Sequence, residues 1–288
     1  MNLFSGLEKF GIKADDTTNL FEEEKKDTGA VVKTSTGDEI PAESSFLLEK
    51  AVRCTVCDKV FKTKMVKNGR IKRLEPDFDL RPRFQYIDTT KYDVLSCPYC
   101  GYTAITRYFE HLTSVQIKLV KENVCSKFNG VLGADLPVLP EEYSYDEAIE
   151  QYKLALFCAM AKKAKTSEKA YTCLKIAWLY RGKAENLTGT EEEIAKQKAE
   201  CKEQEQAFYQ QAYEGLMKAV SSEMFPICGM DQTTVDYLLA AMSFNLKKYD
   251  VASKLISGIL TSSAAGQKMK DRAYDMKEQI IAEIKKSK

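Results

Sequence analysis

Four cysteines stand in two C-x2-C pairs, "CTVC" at 54–57 and "CPYC" at 97–100. Two residues between cysteines let one tight turn aim both sulfurs at a common point, where backbone N–H groups can soften the thiolate charge. Pro98 helps fix the second turn. Gly101 follows the last cysteine, a place where a left-handed backbone is often required. Asp58 holds the matching place in the first pair, and Asp tolerates that conformation better than most residues. Four thiolates at about 2.3 Å fill a tetrahedral zinc shell and leave no position open for water. Cys54, Cys57, Cys97 and Cys100 are therefore expected to hold one structural Zn2+, which argues against hydrolytic chemistry at the metal.

Iron is the less favoured metal. "CPYCG" (97–101) resembles the second knuckle of rubredoxins, which hold iron with four thiolates and transfer electrons, but the first knuckle lacks the matching glycine. Two further alternatives stay open: a redox switch that forms disulfides when the metal leaves, and a pair of free dithiols. The remaining cysteines, Cys125, Cys158, Cys173, Cys201 and Cys228, are scattered and read as small buried hydrophobes. His111 is the only histidine and has no second histidine for a metal pair. It reads as a partly exposed helical residue, since the thiolate shell is complete without it.

Residues 59–73 carry Lys59, Lys62, Lys64, Lys67, Arg70, Lys72 and Arg73 with no acid between them. Asn68-Gly69 lies between two alternating runs, which predicts a type I′ hairpin over 60–74. Lys62 and Lys64 would share one face of the first strand, and Arg70 and Lys72 one face of the second. Such a ribbon face could grip phosphates, with Phe61, Phe78, Phe84 and Tyr86 near enough to stack bases. Against this, a four-thiolate zinc carries a formal charge of −2 that nearby lysines would offset. Lysines also guard exposed strand edges. Nucleic-acid binding is thus the second reading of these residues.

The elements that must position the cysteines follow from the rest of the chain. It has 288 residues, with 43 Lys+Arg against 42 Asp+Glu. Length suggests about two domains, and the charge balance exerts no global pull toward nucleic acid or membrane. The opening "MNLFSGLEKF" lacks the form of a signal peptide, and no apolar run approaches the ~18 residues that span a bilayer. A cytoplasmic protein is expected, in which paired cysteines are metal ligands or redox groups more often than disulfides. Residues 1–45 read as a disordered polar segment after a short amphipathic start, where Leu3, Phe4, Leu7 and Phe10 share one helical face and form a candidate docking peptide. Residues 46–103 read as a zinc ribbon of short strands. Residues 104–143 read as a connecting helix, over 104–128, and a loop. Residues 144–288 read as a helical domain. Within it Ser144 with Glu147 and Thr190 with Glu193 form capping boxes, the second opening a long helix over 190–223. Further helices are expected near 231–247, 250–261 and 265–286.

"YDEAIEQYKLAL" (145–156) resembles the second helix of a tetratricopeptide repeat through Tyr145, Ala148, Tyr152, Ala155 and Leu156. "YDVASKLISGIL" (249–260) repeats the pattern more weakly, about three periods of about 34 residues later. "LKIAWLYRG" (174–182) looks like a repeat's first helix, with Trp178 and Tyr180 in or near the core. Taken together, "RCTVCDKVFKTKMV", "DFDLRP", "KYDVLSCPYCGYTAITRYF" and "YSYDEAIEQYKLAL" resemble a bacterial family, domain of unknown function 2225, across roughly residues 46–286. The resemblance implies a zinc-ribbon-like segment joined to tetratricopeptide-like helices, and no reaction.

The fold class expected is α+β, mostly α, with a small zinc-ribbon β domain followed by an α-solenoid-like helical domain. Phosphate loops, paired histidines and nucleophile motifs are absent from the sequence. The expected function is a non-enzymatic adaptor that binds an unidentified protein partner through its helices. A nucleic-acid-binding ribbon protein and an iron electron carrier are the alternatives.

Overall fold

The computed structural model describes residues 41–128 and 138–286. The amphipathic start with Leu3, Phe4, Leu7 and Phe10 lies outside the described residues, as does most of the polar segment that follows it.

Two short antiparallel ribbons carry the cysteine pairs at their turns. β1 (Leu47–Arg53) pairs with β2 (Val60–Val66), Leu47 opposite Val66 and Arg53 opposite Val60. β3 (Val94–Ser96) pairs with β4 (Thr103–Ile105), Val94 opposite Ile105. Along β2 the side chains alternate as a half-buried strand requires, with Phe61 and Thr63 inward and Lys62 outward. The second ribbon is buried on both faces, and it reads accordingly as apolar or small residues.

The hairpin expected over 60–74 does not form. β2 takes β1 as its partner, and the chain beyond Gly69 pairs elsewhere, with Arg73 bridged to Phe84. Asn68 and Gly69 take no positive φ, so the type I′ turn is not adopted. Seven paired positions with β1 outweigh the preference of one two-residue turn.

The helix expected over 104–128 is broken as well. Thr103–Ile105 is committed to the second ribbon, α1 (Thr106–Phe109) is a single turn, and α2 (Ser114–Val120) starts afresh. The new start has its own capping box. The Thr113 hydroxyl accepts from the Gln116 N–H, and the Gln116 side chain accepts from the Thr113 N–H. His111 falls in the break between the two helices and is exposed.

Six longer helices follow. They are α3 (Tyr145–Ala161), α4 (Thr166–Glu185), α5 (Glu191–Ser222), α6 (Gln232–Asn245), α7 (Tyr249–Thr261) and α8 (Gln267–Lys286). Both expected capping boxes are in place at α3 and α5. The 32 residues of α5 would extend about 48 Å at 1.5 Å per residue, and its first three turns are almost wholly exposed. Its second half runs antiparallel to α4, from Arg181–Glu205 at one end to Ser167–Glu223 at the other. Midway, Gly215 lets the helices close: a Cβ there would come within 2.7 Å of the Ala170 methyl. α4 is the central helix, and Leu174, Ala177 and Trp178 share a core with Tyr213 and Leu216 of α5 and Leu238, Leu239 and Met242 of α6. α6, α7 and α8 close a second core around Ala241, Ile256, Ile259, Met276 and Ile280.

The segment 77–88 is clasped to α4 by charge. Asp79, 1% exposed, accepts both Nη atoms of Arg181 at 3.0 and 2.9 Å and the Trp178 indole N–H at 3.1 Å. Arg81, equally buried, donates to Asp88 at 3.0 Å and to Glu185 at 3.2 Å. Arg83 spans Asp77 and Glu185. Opposite charges taken out of water in this way hold together only as complete pairs, because an orphaned partner costs several kcal/mol. Burial pushes the Asp79 carboxyl up, and Arg181 more than offsets this, so it lies below the ordinary Asp value.

Candidate metal centre

Each C-x2-C turn is built by the same two backbone hydrogen bonds. In the first, Asp58 N–H donates to the Cys54 carbonyl at 2.8 Å, and Cys54 N–H donates to the Lys59 carbonyl at 2.9 Å. In the second, Gly101 N–H donates to the Cys97 carbonyl at 2.9 Å, and Cys97 N–H to the Tyr102 carbonyl at 2.9 Å. Both turns close through a left-handed residue, Asp58 with φ 63° and Gly101 with φ 73°. Gly101 has a second reason to lack a side chain: a Cβ there would meet the Phe128 ring at 2.4 Å.

The two turns face each other. Cys54 Sγ lies 3.6 Å from Cys100 Sγ, and Cys57 Sγ 3.6 Å from Cys97 Sγ. All four sulfurs lie within 4.8 Å of one another. A tetrahedron of sulfurs 2.3 Å from its centre has edges of about 3.8 Å. A disulfide needs about 2.05 Å, and all four thiols are free. Among the described residues this is the one group of three or more His, Cys, Asp or Glu side chains placed to hold a metal ion.

The electrostatics point the same way. Hydrogen bonds from Cys100 and Cys54 pull the Cys97 thiol down to about 4. The same contacts, with Cys54 and Cys97, push Cys100 far up. Four converging thiols cannot all ionise alone, so four thiolates call for a cation between them. Val56 N–H points at Cys54 Sγ at 3.4 Å, and the Lys59 ammonium lies 4.6 Å from the Tyr99 ring centre, joining the two turns.

The surroundings hold the centre rigid. Cys54 and Cys97 are fully buried, Cys57 is half-exposed, and Phe61, Tyr102, Phe109, Val120 and Val124 pack about them. α3 contributes Cys158, whose thiol donates to the Gly101 carbonyl and accepts from the Thr103 N–H at 3.4 Å. Thr55 donates to the Phe109 carbonyl at 3.0 Å. Cys125 packs against the same cluster. Neither Cys125 nor Cys158 carries a spacing signal, because each reaches the centre from an element far along the chain.

The basic residues are dispersed, not gathered on one hairpin face. Lys62 and Lys64 both approach Glu49 on the neighbouring strand, at 3.7 and 3.2 Å. Lys67 donates to the Ser45 carbonyl at 3.1 Å. Arg70, Lys72 and Arg73 lie exposed beyond the turn, in the segment that bridges to Phe84. Glu49 escaped the sequence reading because it lies outside the run and meets it only across β1 and β2.

No described helix is long and apolar enough to cross a membrane. The model of a protein family described as an uncharacterized protein conserved in bacteria, DUF2225, matches residues 47–280. Comparison with the curated proteins and with the solved structures finds no match.

Proposed function

The chain belongs to the bacterial DUF2225 family, and from that premise we propose that it is a non-enzymatic metal-binding adaptor. In this reading Cys54, Cys57, Cys97 and Cys100 hold one structural Zn2+, and the helical layer binds a protein partner. The carrying observation is the convergence of four thiols within 4.8 Å. With every position of a tetrahedral shell taken by sulfur, the bound ion cross-links the two ribbons and offers no site to a substrate.

Sequential helix pairs support the adaptor half of the reading. α3 with α4, α4 with α5, α6 with α7 and α7 with α8 pack as chain neighbours, an arrangement in keeping with tetratricopeptide-like stacking. A cleft of about 880 Å³ opens between the Asp77–Arg83 segment, α4, α5 and the end of α6. Phe78, Lys202, Gln206, Tyr209, Gln210 and Asn245 line it. A polar wall with two aromatic rings suits a peptide segment, and this is the concave surface the reading assigns to the partner. The apolar start with Leu3, Phe4, Leu7 and Phe10 is a second candidate contact for a partner.

Elemental analysis of protein purified without added metal tests the metal half, with Cys97→Ser as the control. Photo-crosslinking from position 206 in cells, compared with position 268 on the exposed face of α8, tests the partner half. A partner crosslinked equally from both positions would remove the cleft from the account. Iron in the same thiolates is the second reading, since a tetrahedral S4 set takes either metal. Strong visible absorption in the oxidised protein would establish it.

A further inference from the structure

β1 is an edge strand with an open side. The Lys67 N–H donates to the Phe46 carbonyl at 2.8 Å, and the Cys54 N–H to the Lys59 carbonyl at 2.9 Å. These two bonds flank the ladder and fix its phase. Even-numbered residues of β1 exchange hydrogen bonds with β2, and odd-numbered ones point their backbone groups away from it. Leu47 gives its N–H to the Ser44 carbonyl. Among the described residues, the backbone N–H and C=O groups of Glu49, Ala51 and Arg53 have no partner. These residues are exposed. A groove of about 450 Å³ lies beside them, with Ala51, Arg53, Thr106 and Glu110 in its walls. No proline or bulge interrupts Leu47–Arg53, so the strand itself carries no block to a further one.

We infer that this edge pairs with the same edge of a second copy of the chain, antiparallel about a two-fold axis at Ala51, so that two two-stranded ribbons merge into one sheet. In that register Glu49 stands opposite Arg53 of the partner subunit, Arg53 opposite Glu49 of the partner subunit, and Ala51 opposite its own copy. Each of these pairs exchanges two backbone hydrogen bonds.

The charges select both the occupant and the register. Centring the axis on Glu49 sets glutamate against glutamate, and centring it on Lys50 sets lysine against lysine, each unfavourable. Centring it on Ala51 turns the same charges into opposite-sign pairs and uses every free position, while the small Ala51 side chains meet at the axis without crowding. Glu49 already faces Lys64 across the ribbon at 3.2 Å, so the partner's Arg53 completes a row of alternating sign. The outer edge of β2 offers no such match, because Lys62 and Lys64 would meet lysines on self-pairing. The contact is isologous, so it closes at two copies. The inference goes beyond the adaptor reading and does not depend on it: a dimer carries every partner-binding surface twice.

The test is sedimentation velocity of the full-length protein over a range of concentrations, with circular dichroism and metal content as checks on folding. Wild type should show a monomer–dimer equilibrium. The Ala51 N–H lies outside the β1–β2 ladder, so Ala51→Pro is tolerated by the ribbon as an edge proline. It removes the hydrogen bonds at the axis and should raise the dimer Kd at least about tenfold. Glu49→Arg and Arg53→Glu each set like charges opposite one another across the axis and should each be monomeric alone. Mixed together, the two variants place a cation against an acid in both pairs and should form a heterodimer with a Kd within about threefold of wild type. That rescue separates a direct pairing from a folding defect in either variant. A wild type that stays monomeric at every concentration, a dimer indifferent to Ala51→Pro, or single variants that fail to associate when mixed would overturn the inference. None of these outcomes bears on crosslinking from the helical cleft, which tests the adaptor reading separately.

Discussion

Asp58 and Gly101 occupy the same position in two copies of one turn, with φ of 63° and 73°. Only the second lies beneath an aromatic ring, Phe128. The two sites therefore respond differently to substitution.

Gly101→Ala should cost more than about 2 kcal/mol, combining the left-handed penalty of about 1–2 kcal/mol with displacement of Phe128. Asp58→Gly should change stability by less than about 1 kcal/mol, since relief of backbone strain offsets the looser unfolded chain and the lost exposed pair with Arg53. Urea unfolding of the metal-loaded protein measures both. A Gly101→Ala variant as stable as wild type would contradict the geometry.

Asp79 answers to three donors at once, so its removal should be among the costliest substitutions in the helical part. Asp79→Ala strands the Arg181 guanidinium and the Trp178 N–H and should lose about 3–5 kcal/mol. Trp178→Phe removes a single donor, although the smaller ring also leaves space, and should lose less. The carboxyl is held below its ordinary value. Its contribution is thus fully present above the unfolded Asp pKa of about 3.9 and is lost as pH falls through the lower folded value. Stability measured from pH 6 down to pH 3 should fall more steeply for wild type than for Asp79→Asn.

Buried thiols should resist alkylation. Burial pushes Cys158 and Cys173 up to about 11, so few thiolates exist at pH 8. Iodoacetamide should leave both unmodified in the native protein and reach them only after unfolding. Cys158→Ala should lose about 1 kcal/mol and keep the full metal content, which separates a supporting cysteine from a ligand.

Glu49 stands between Lys62 and Lys64 and spends part of their charge. Oligonucleotide binding that weakens with salt at about −0.9 per phosphate contact is therefore not expected from this ribbon. Such a slope, lost on Lys62→Ala and Lys64→Ala, would restore the nucleic-acid reading.

What could be read from the sequence was whatever depended on neighbours in the chain. The C-x2-C turns, the left-handed places at 58 and 101, and the caps at Ser144 and Thr190 are local, and each is found as expected. Asn68-Gly69 is a local signal too, but pairing with β1 decided the matter, and no short-range pattern announces which strand will arrive. The apolar stripe over 104–128 is broken because Ala104 and Ile105 are needed opposite Leu95 and Val94. The Asp79–Arg181 clasp and the approach of Cys125 and Cys158 to the centre depend on tertiary packing alone. Their residue types say only that they could be buried.

The central claim is that Cys54, Cys57, Cys97 and Cys100 hold one structural metal ion. Elemental analysis of wild type and Cys97→Ser, purified under reducing conditions without chelator or added metal, tests it most directly. The account predicts one zinc per wild-type chain and its loss from the variant. No metal in wild type, or equal metal in both, would contradict it.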